Sequence, residues 1–168
     1  MTSGSLGNGI AIGAGMAFAA KVQGKDYTTY VICGDGELQE GVCWEGINMA
    51  AGRKLDNLVV FVDRNCWQSY KSVEFTVGQN NIADRFRAFG WHTQEISGHD
   101  IQAIRSAIHI AKSHQGSPCC IVCDCVKGKG VSYMENQVGW HGKAPNDEEY
   151  KIAMDELNAQ LAELEAQV

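Results

Sequence analysis

An α/β fold, with a parallel sheet flanked by helices on both faces, is predicted by three features of the chain. Short apolar runs that read as strands alternate with segments that read as helices. The runs Tyr-Val-Ile-Cys (30–33) and Leu-Val-Val-Phe-Val (58–62) are continuously apolar, as strands buried on both sides are. Asp35, Asn65 and Lys127 each fall just past the end of a strand-like run, on the rim where such sheets bind ligands.

Taken in order, residues 7–21 are rich in Ala, Gly and Ile and read as a helix. Gly9, Gly13 and Gly15 would weaken an isolated helix, so close packing against a neighbour is expected there. Strand 30–33 follows, buried by this reading. Residues 40–51 form a second helix whose apolar surface is Val42, Ile47 and Met49 to Ala51, with Gly52 as its stop. Strand 58–62 leads into Asp63-Arg64-Asn65, and 66–80 reads as an irregular polar and aromatic loop. A short helix over 81–89 and a strand over 93–96 come next. Asp100 caps a helix over 101–113 that places Ile101, Ile104, Ile108 and Ala111 on one face. Pro118 breaks before strand 119–126. The glycine-rich loop 127–146 is long enough to suggest a functional one. A charged amphipathic helix over 147–167 carries Ile152, Leu157, Leu161 and Leu164 on its apolar side.

At 168 residues, with 45% hydrophobic content, the chain reads as one domain with a sizeable core. A net charge of -6 argues against nucleic acid or an anionic membrane as a partner. No apolar run approaches the roughly 18 residues of a membrane span, and the first residues lack the pattern of a signal peptide. A cytoplasmic location is the expectation. Of seven cysteines, four crowd into 119–125, where Cys120-x-x-Cys123 suggests zinc or redox chemistry. No second such pair exists, and the motif lies inside a strand rather than at a helix start. Buried, reduced, structural thiols are the expected outcome.

The densest chemistry lies in Gly34-Asp35-Gly36-Glu37 and in Asn65, thirty residues after Asp35. Magnesium takes about six oxygens and usually keeps water among them. Asp35 can supply one oxygen, the Asn65 carboxamide a second, and a backbone carbonyl just after Asn65 a third. Diphosphate oxygens and water would complete the shell, and the glycines let a diphosphate approach the backbone. The diphosphate's charge exceeds what the metal offsets, so a cation such as Lys127 and a donor such as His141 are also needed. Each residue alone has a plainer role: Asp35 and Asn65 as turn formers, Lys127 and His141 as solvated loop side chains.

These motifs resemble the thiamine-diphosphate-binding domain of transketolase, in particular transketolases encoded as two half-chains. The resemblance extends to about Pro145 and treats residues 1–168 as one such domain. It implies that Asp35, Asn65 and the Trp67 carbonyl hold magnesium, with calcium or manganese able to replace it. It also implies that the Gly36 N–H and Asn65 contact the diphosphate of thiamine diphosphate. Thr2-Ser3-Gly4-Ser5-Leu6-Gly7 resembles a segment whose Gly-Ser-Leu backbone packs on the cofactor, which adds Gly4, Ser5 and Leu6. Lys127-Gly128-Lys129-Gly130 and Trp140-His141-Gly142-Lys143 match motifs that place Lys127 and His141 at the diphosphate, His141 also near the substrate. Glu40 and Glu45 match acidic residues facing the partner active site across a dimer interface.

The implied activity is transfer of a two-carbon ketol unit from a ketose phosphate to an aldose phosphate. The implied partner is a pyrimidine-binding half-chain, in a homodimer or a heterotetramer. Family groups that lie before the Gly-Ser-Leu segment, and the glutamate of the pyrimidine-binding domain, are not in this sequence, so the isolated chain is expected to be an incomplete catalyst. Asn65-Cys66-Trp67-Gln68 departs from the family's usual start of this loop. A non-catalytic, self-associating remnant, or a subunit of another thiamine-diphosphate enzyme, are the alternatives.

Overall fold

Val59, Val60, Val62, Ile121 and Val122 are fully buried, and they mark the two central strands of a four-stranded sheet. The computed structural model describes residues 4–78 and 81–166. Thr2 and Ser3, Asn80 at the end of the expected 66–80 loop, and Gln167 at the end of the expected last helix lie outside them. The described chain divides into two compact units: residues up to Cys66 with Val73–Cys125, and Trp67–Ser72 with the residues from Val126 onward.

The first unit holds the sheet. Strands β1 (Thr29–Gly34), β2 (Leu58–Arg64), β3 (His92–Ser97) and β4 (Cys119–Asp124) are all parallel, in the order β1-β2-β4-β3. The register sets Gly34 beside Asp63 and Arg64 beside Asp124, so the carboxyl ends of the strands finish level. Helices α1 (Asn8–Val22), α2 (Gly41–Gly52) and α4 (Ile82–Ala88) cover one face. There Ile10, Ile47 and Phe86 pack on Leu58, Val60 and Val122. Helix α5 (Ile101–Ser113) covers the other, with Ala107 and Ala111 against Val59 and Ile121. A short helix α3 (Val73–Thr76) completes the unit.

Helix α1 does pack closely: a Cβ on Gly13 would collide with the Val31 side chain, although Gly15 faces open space. Asp100 caps α5 as expected, its carboxylate accepting from the Gln102 and Ala103 amides. The thiols are free. Burial pushes the Cys43 and Cys119 thiols up to about 11 and raises Cys33 and Cys120 further. Cys120 belongs to one core and Cys123 to the other, because residues three apart on a strand face opposite ways.

Four expectations need correction. Strand β1 is buried on one side only: Ile32 is 78% exposed and Tyr30 is also exposed, because β1 is an edge strand and no helix of the described residues covers its second face. That face opens on a cavity of about 610 Å³ bordered by Ile12, Met16, Tyr30 and Ile32. On α5 Ala111 is buried as expected and Ile104 and Ile108 are half-buried, but Ala107 is the second fully buried contact and Ile101 is exposed at the helix start. On α2, Met49 is exposed while Cys43, Ile47 and Ala50 face the sheet. The segment after Asn65 is not wholly irregular, since Trp67 and Ser72 form an isolated antiparallel bridge and the four-residue α3 follows.

The second unit is built on helix α6 (Asp147–Glu165) and the loop before it. Asn146 begins α6 with a capping box: its side chain accepts from the Glu149 amide and the Glu149 carboxylate accepts from the Asn146 amide. The loop packs on one row of the helix, with Tyr133 donating to the Glu149 carbonyl, Ser132 donating to Glu156, and Gln160 donating to the Gly130 carbonyl. The residues of its expected apolar side, Ile152, Leu157, Leu161 and Leu164, are all exposed. The buried residue of the helix is Ala153.

Candidate functional site

Asp35 follows the last residue of β1 and is 2% exposed. Its amide donates to the Asp63 carbonyl, extending the β1–β2 ladder by one residue. One carboxylate oxygen accepts from the Gly36 amide at 2.8 Å and the other from the Cys66 amide at 2.7 Å. The second contact sets Asp35 against the peptide that joins Asn65 to Cys66. Cys66 takes φ +67, a left-handed conformation uncommon in a non-glycine residue, so the chain turns sharply just after Asn65. The Asp35 carboxylate thus meets the backbone just after Asn65 at the carboxyl ends of adjacent strands. The Gly36 amide, expected at the diphosphate, is engaged with Asp35 in this structure.

The Asp35 carboxylate is held at an electrostatic cost. Burial raises the pKa of Asp35, the amides of Cys66 and Gly36 pull it back, and the nearby Asp63 raises it again. Asp63 Oδ1 is itself buried without a hydrogen-bond partner among the described residues. A buried carboxylate beside a half-buried one whose Oδ1 has no partner among the described residues suits a bound divalent cation. Among the described residues no three His, Cys, Asp or Glu side chains are grouped to hold a metal. A site of one carboxylate, one carboxamide and one backbone carbonyl has no need of such a group.

Glu37 has a structural role that its sequence position did not reveal. One of its carboxylate oxygens accepts from the Gly7 amide at 2.9 Å, the other from the Gly34 amide at 3.2 Å. It therefore ties the segment Gly4-Ser5-Leu6, just before α1, to the end of β1. Gly7 is required there, with φ +88 and a would-be Cβ 2.7 Å from Glu40 Cβ and from Val42. Gly4, Ser5 and Leu6 are exposed, as a lining for a ligand would be. The sequence signal for Glu37 was its place beside the Gly-Asp-Gly turn. Asp63 carried no such signal, because its importance depends on its place near Asp35 in the fold. Glu40 and Glu45 are exposed, Glu40 just before α2 and Glu45 within it.

Lys127, His141 and Trp67 belong to the second unit. Lys127 Nζ lies 3.3 Å from His141 Nδ1. An ammonium can only donate, so Nδ1 accepts and the imidazole proton sits on Nε2. The loop is built to hold this pair. Gly128 has φ +74, and a Cβ there would come within 2.5 Å of the Met134 carbonyl oxygen. The Asn136 amide donates to the Lys127 carbonyl at 2.9 Å. Trp140 Nε1 donates to the Tyr133 carbonyl, and the Lys143 ammonium lies 4.0 Å from the Trp140 ring centre. No helix among the described residues is long and apolar enough to cross a membrane.

Residues 1–163 match the family described as transketolase, thiamine diphosphate binding domain. The chain is 40% identical over 162 residues to a 6-deoxy-6-sulfo-D-fructose transketolase subunit of Clostridium sp. (strain MSTE9), covering 96% of this chain and 59% of that protein. It is 38% identical over 165 residues to an apulose-4-phosphate transketolase subunit of Phocaeicola vulgatus, covering 98% of this chain and 59% of that protein. Crystalline transketolase of Campylobacter jejuni superposes with a TM-score of 0.87 at 33% identity, over 93% of this chain and 26% of that one. The chain thus spans a little over half the length of the two subunits it resembles.

Proposed function

Since this chain belongs to the transketolase family through its thiamine-diphosphate-binding domain, we propose that it is the cofactor-binding part of a two-chain, transketolase-like transferase. The proposed reaction moves a two-carbon ketol unit from a ketose phosphate to an aldose phosphate. The relatives named for sulfofructose and apulose 4-phosphate suggest that the donor is a ketose of unusual structure or its phosphate. The observation that carries the proposal is the contact of buried Asp35 with the Asn65–Cys66 peptide.

In this reading Asp35, the Asn65 carboxamide and the Trp67 carbonyl hold Mg2+, or Ca2+ or Mn2+ in its place. Gly4, Ser5 and Leu6 line the cofactor with backbone, and the Gly36 amide and Asn65 serve the diphosphate. Lys127 offsets diphosphate charge. His141, its proton fixed on Nε2 by the Lys127 contact, is a donor for a phosphate or substrate oxygen. Glu40 and Glu45, both exposed, serve the dimer interface near the partner active site. Thiamine diphosphate, when bound, supplies a carbanion at its thiazolium ring and an electron sink for the ketol unit. The activating glutamate comes from a pyrimidine-binding half-chain, so catalysis requires that partner.

The test is to mix the chain with a pyrimidine-binding half-chain and titrate thiamine diphosphate in millimolar magnesium by calorimetry, then assay ketol transfer. Metal-dependent binding that Asp35→Asn abolishes, with transfer only in the mixture, is the expected result. Absence of cofactor binding in the mixture overturns the proposal and favours a non-catalytic, self-associating chain.

A further inference from the structure

Just before Asn65 the core face of the sheet turns from apolar to charged. Side chains alternate along a strand, so Val60, Val62 and Arg64 of β2 share one face, as do Cys120, Val122 and Asp124 of β4. The register pairs Arg64 with Asp124, and Val122 with Glu95 of β3. Three charged side chains from three strands therefore stand together, just beyond the last buried valines. The Arg64 guanidinium joins them, Nε donating to Asp124 and Nη1 to Glu95 at 3.3 Å. From α4, Arg87 holds the other Glu95 oxygen at 3.2 Å and Asp84 at 2.7 Å. Two guanidinium groups thus face three carboxylates, so the charge of Arg64 is matched within the network and is not left for a ligand.

The chain leaves this clamp directly into the candidate metal site. Arg64 is the last residue of β2, its carbonyl accepts from the Cys125 amide at 3.1 Å, and Asn65 follows it. One residue later the Cys66 amide donates to buried Asp35 at 2.7 Å, with Cys66 at φ +67. Burial and Asp35 raise the pKa of the Cys66 thiol while the Arg64 guanidinium draws it back, so the Arg64 charge lies close to this turn. An uncommon backbone conformation persists only where its surroundings hold it. Exposed ion pairs add little to global stability, so the effect of the network is local, on the strand end from which the turn starts. The planar fork of Arg64 engages two carboxylates at once, which the single ammonium of a lysine does less well.

We propose, resting on the cofactor reading above for the metal but not for the turn, that Arg64 is a positioning residue: by clamping the carboxyl ends of β2, β4 and β3 it fixes the turn at Asn65 and Cys66 against Asp35. Hydrogen exchange of the chain, followed residue by residue by NMR, reads the turn. Arg64→Gln should lower protection of the Cys66 amide about tenfold relative to Val60 and Val122, and Arg64→Lys should recover part of it. Asp124→Asn, which leaves Arg64 in place, should act in the same direction, so the turn is tested even if Arg64→Gln does not fold. Mn2+ is the probe for the metal, followed by its paramagnetic resonance in the mixture of the chain, a pyrimidine-binding half-chain and thiamine diphosphate. There Arg64→Gln should weaken Mn2+ binding about tenfold, with Arg64→Lys in between. A purely electrostatic role predicts the opposite sign, because removing a positive charge near a cation site tightens metal binding. Unchanged Cys66 protection in folded Arg64→Gln, tighter Mn2+ binding, or a lysine variant no better than the glutamine one would each overturn the proposal. If the wild-type mixture binds no Mn2+, the metal role falls with the cofactor reading, and the exchange result alone decides whether Arg64 holds the turn.

Discussion

Replacing Glu37 by Ala removes the acceptor of two backbone amides, Gly7 at 2.9 Å and Gly34 at 3.2 Å. An amide left without its charged acceptor costs about 1–3 kcal/mol when buried, and the half-buried setting places each near the low end. The expected loss is therefore about 2–3 kcal/mol for Glu37→Ala. Glu37→Gln keeps one acceptor oxygen but turns an NH2 group toward the other amide, so it should lose about half as much. Urea denaturation at neutral pH reads this directly. With a slope near 2 kcal/mol per molar, the alanine variant should unfold about 1 M earlier, with the slope unchanged. Hydrogen exchange localises the effect, with the Gly7 and Gly34 amides losing protection while β2 and β4 keep theirs. A loss under about 0.5 kcal/mol, or unchanged protection at both glycines, would refute the view that Glu37 joins the Gly4–Leu6 segment to the end of β1.

Asp35 makes a prediction with a definite sign. Its folded pKa is raised, so the ionised form destabilises the ligand-free chain, and stability should rise as pH falls through that raised pKa. The component disappears in Asp35→Asn, which a comparison of urea midpoints at neutral and mildly acidic pH detects; identical pH profiles for the two proteins refute it. Magnesium with thiamine diphosphate at a hundred times its dissociation constant should stabilise the wild type, together with its partner chain, by about 2.7 kcal/mol and leave Asp35→Asn unaffected. Two glycines offer a matched pair. Gly46→Ala would put a Cβ 3.0 Å from Ala11 Cα and N, costing about 1–3 kcal/mol, whereas Gly15→Ala, on open helix surface, should stabilise by about 0.5–1 kcal/mol. Thermal denaturation of both variants decides it, and equal shifts would contradict the close α1–α2 contact. Exposed Cys66 should react first with a thiol reagent under native conditions, before half-buried Cys125, whose thiol burial and Asp63 push up to about 12. Peptide mapping that finds Cys120 labelled early would refute the packing of β4.

How much was legible follows from which residues signal their own environment. Asp35 and Asn65 were readable because each follows an apolar strand, and parallel strands that end level bring such residues together. Glu37 was visible beside the glycines, but its partners Gly7 and Gly34 lie in segments that only the fold brings to it. The Lys127–His141 contact needed the folded loop, because fourteen residues of glycine-rich chain permit many conformations. Burial was the weakest inference. Ile32, Ile101 and Leu161 are apolar in sequence, yet whether each is covered depends on the position of its strand or helix in the assembly.

The sequence by itself determined the alternation of strands and helices, the parallel sheet, the capped start of α5, and the placing of Asp35 and Asn65 just past the ends of their strands. These are local: apolar periodicity, capping side chains and glycine turns act over a few residues, so they can be read without knowing what packs where. The tertiary structure decided that β1 is an edge strand, that Ala107 joins Ala111 as the fully buried contact of α5, that Asp63 sits near Asp35, and that the leucines of α6 are exposed. Each of those depends on contacts between residues distant in the chain, which is why no single stretch of sequence carries them.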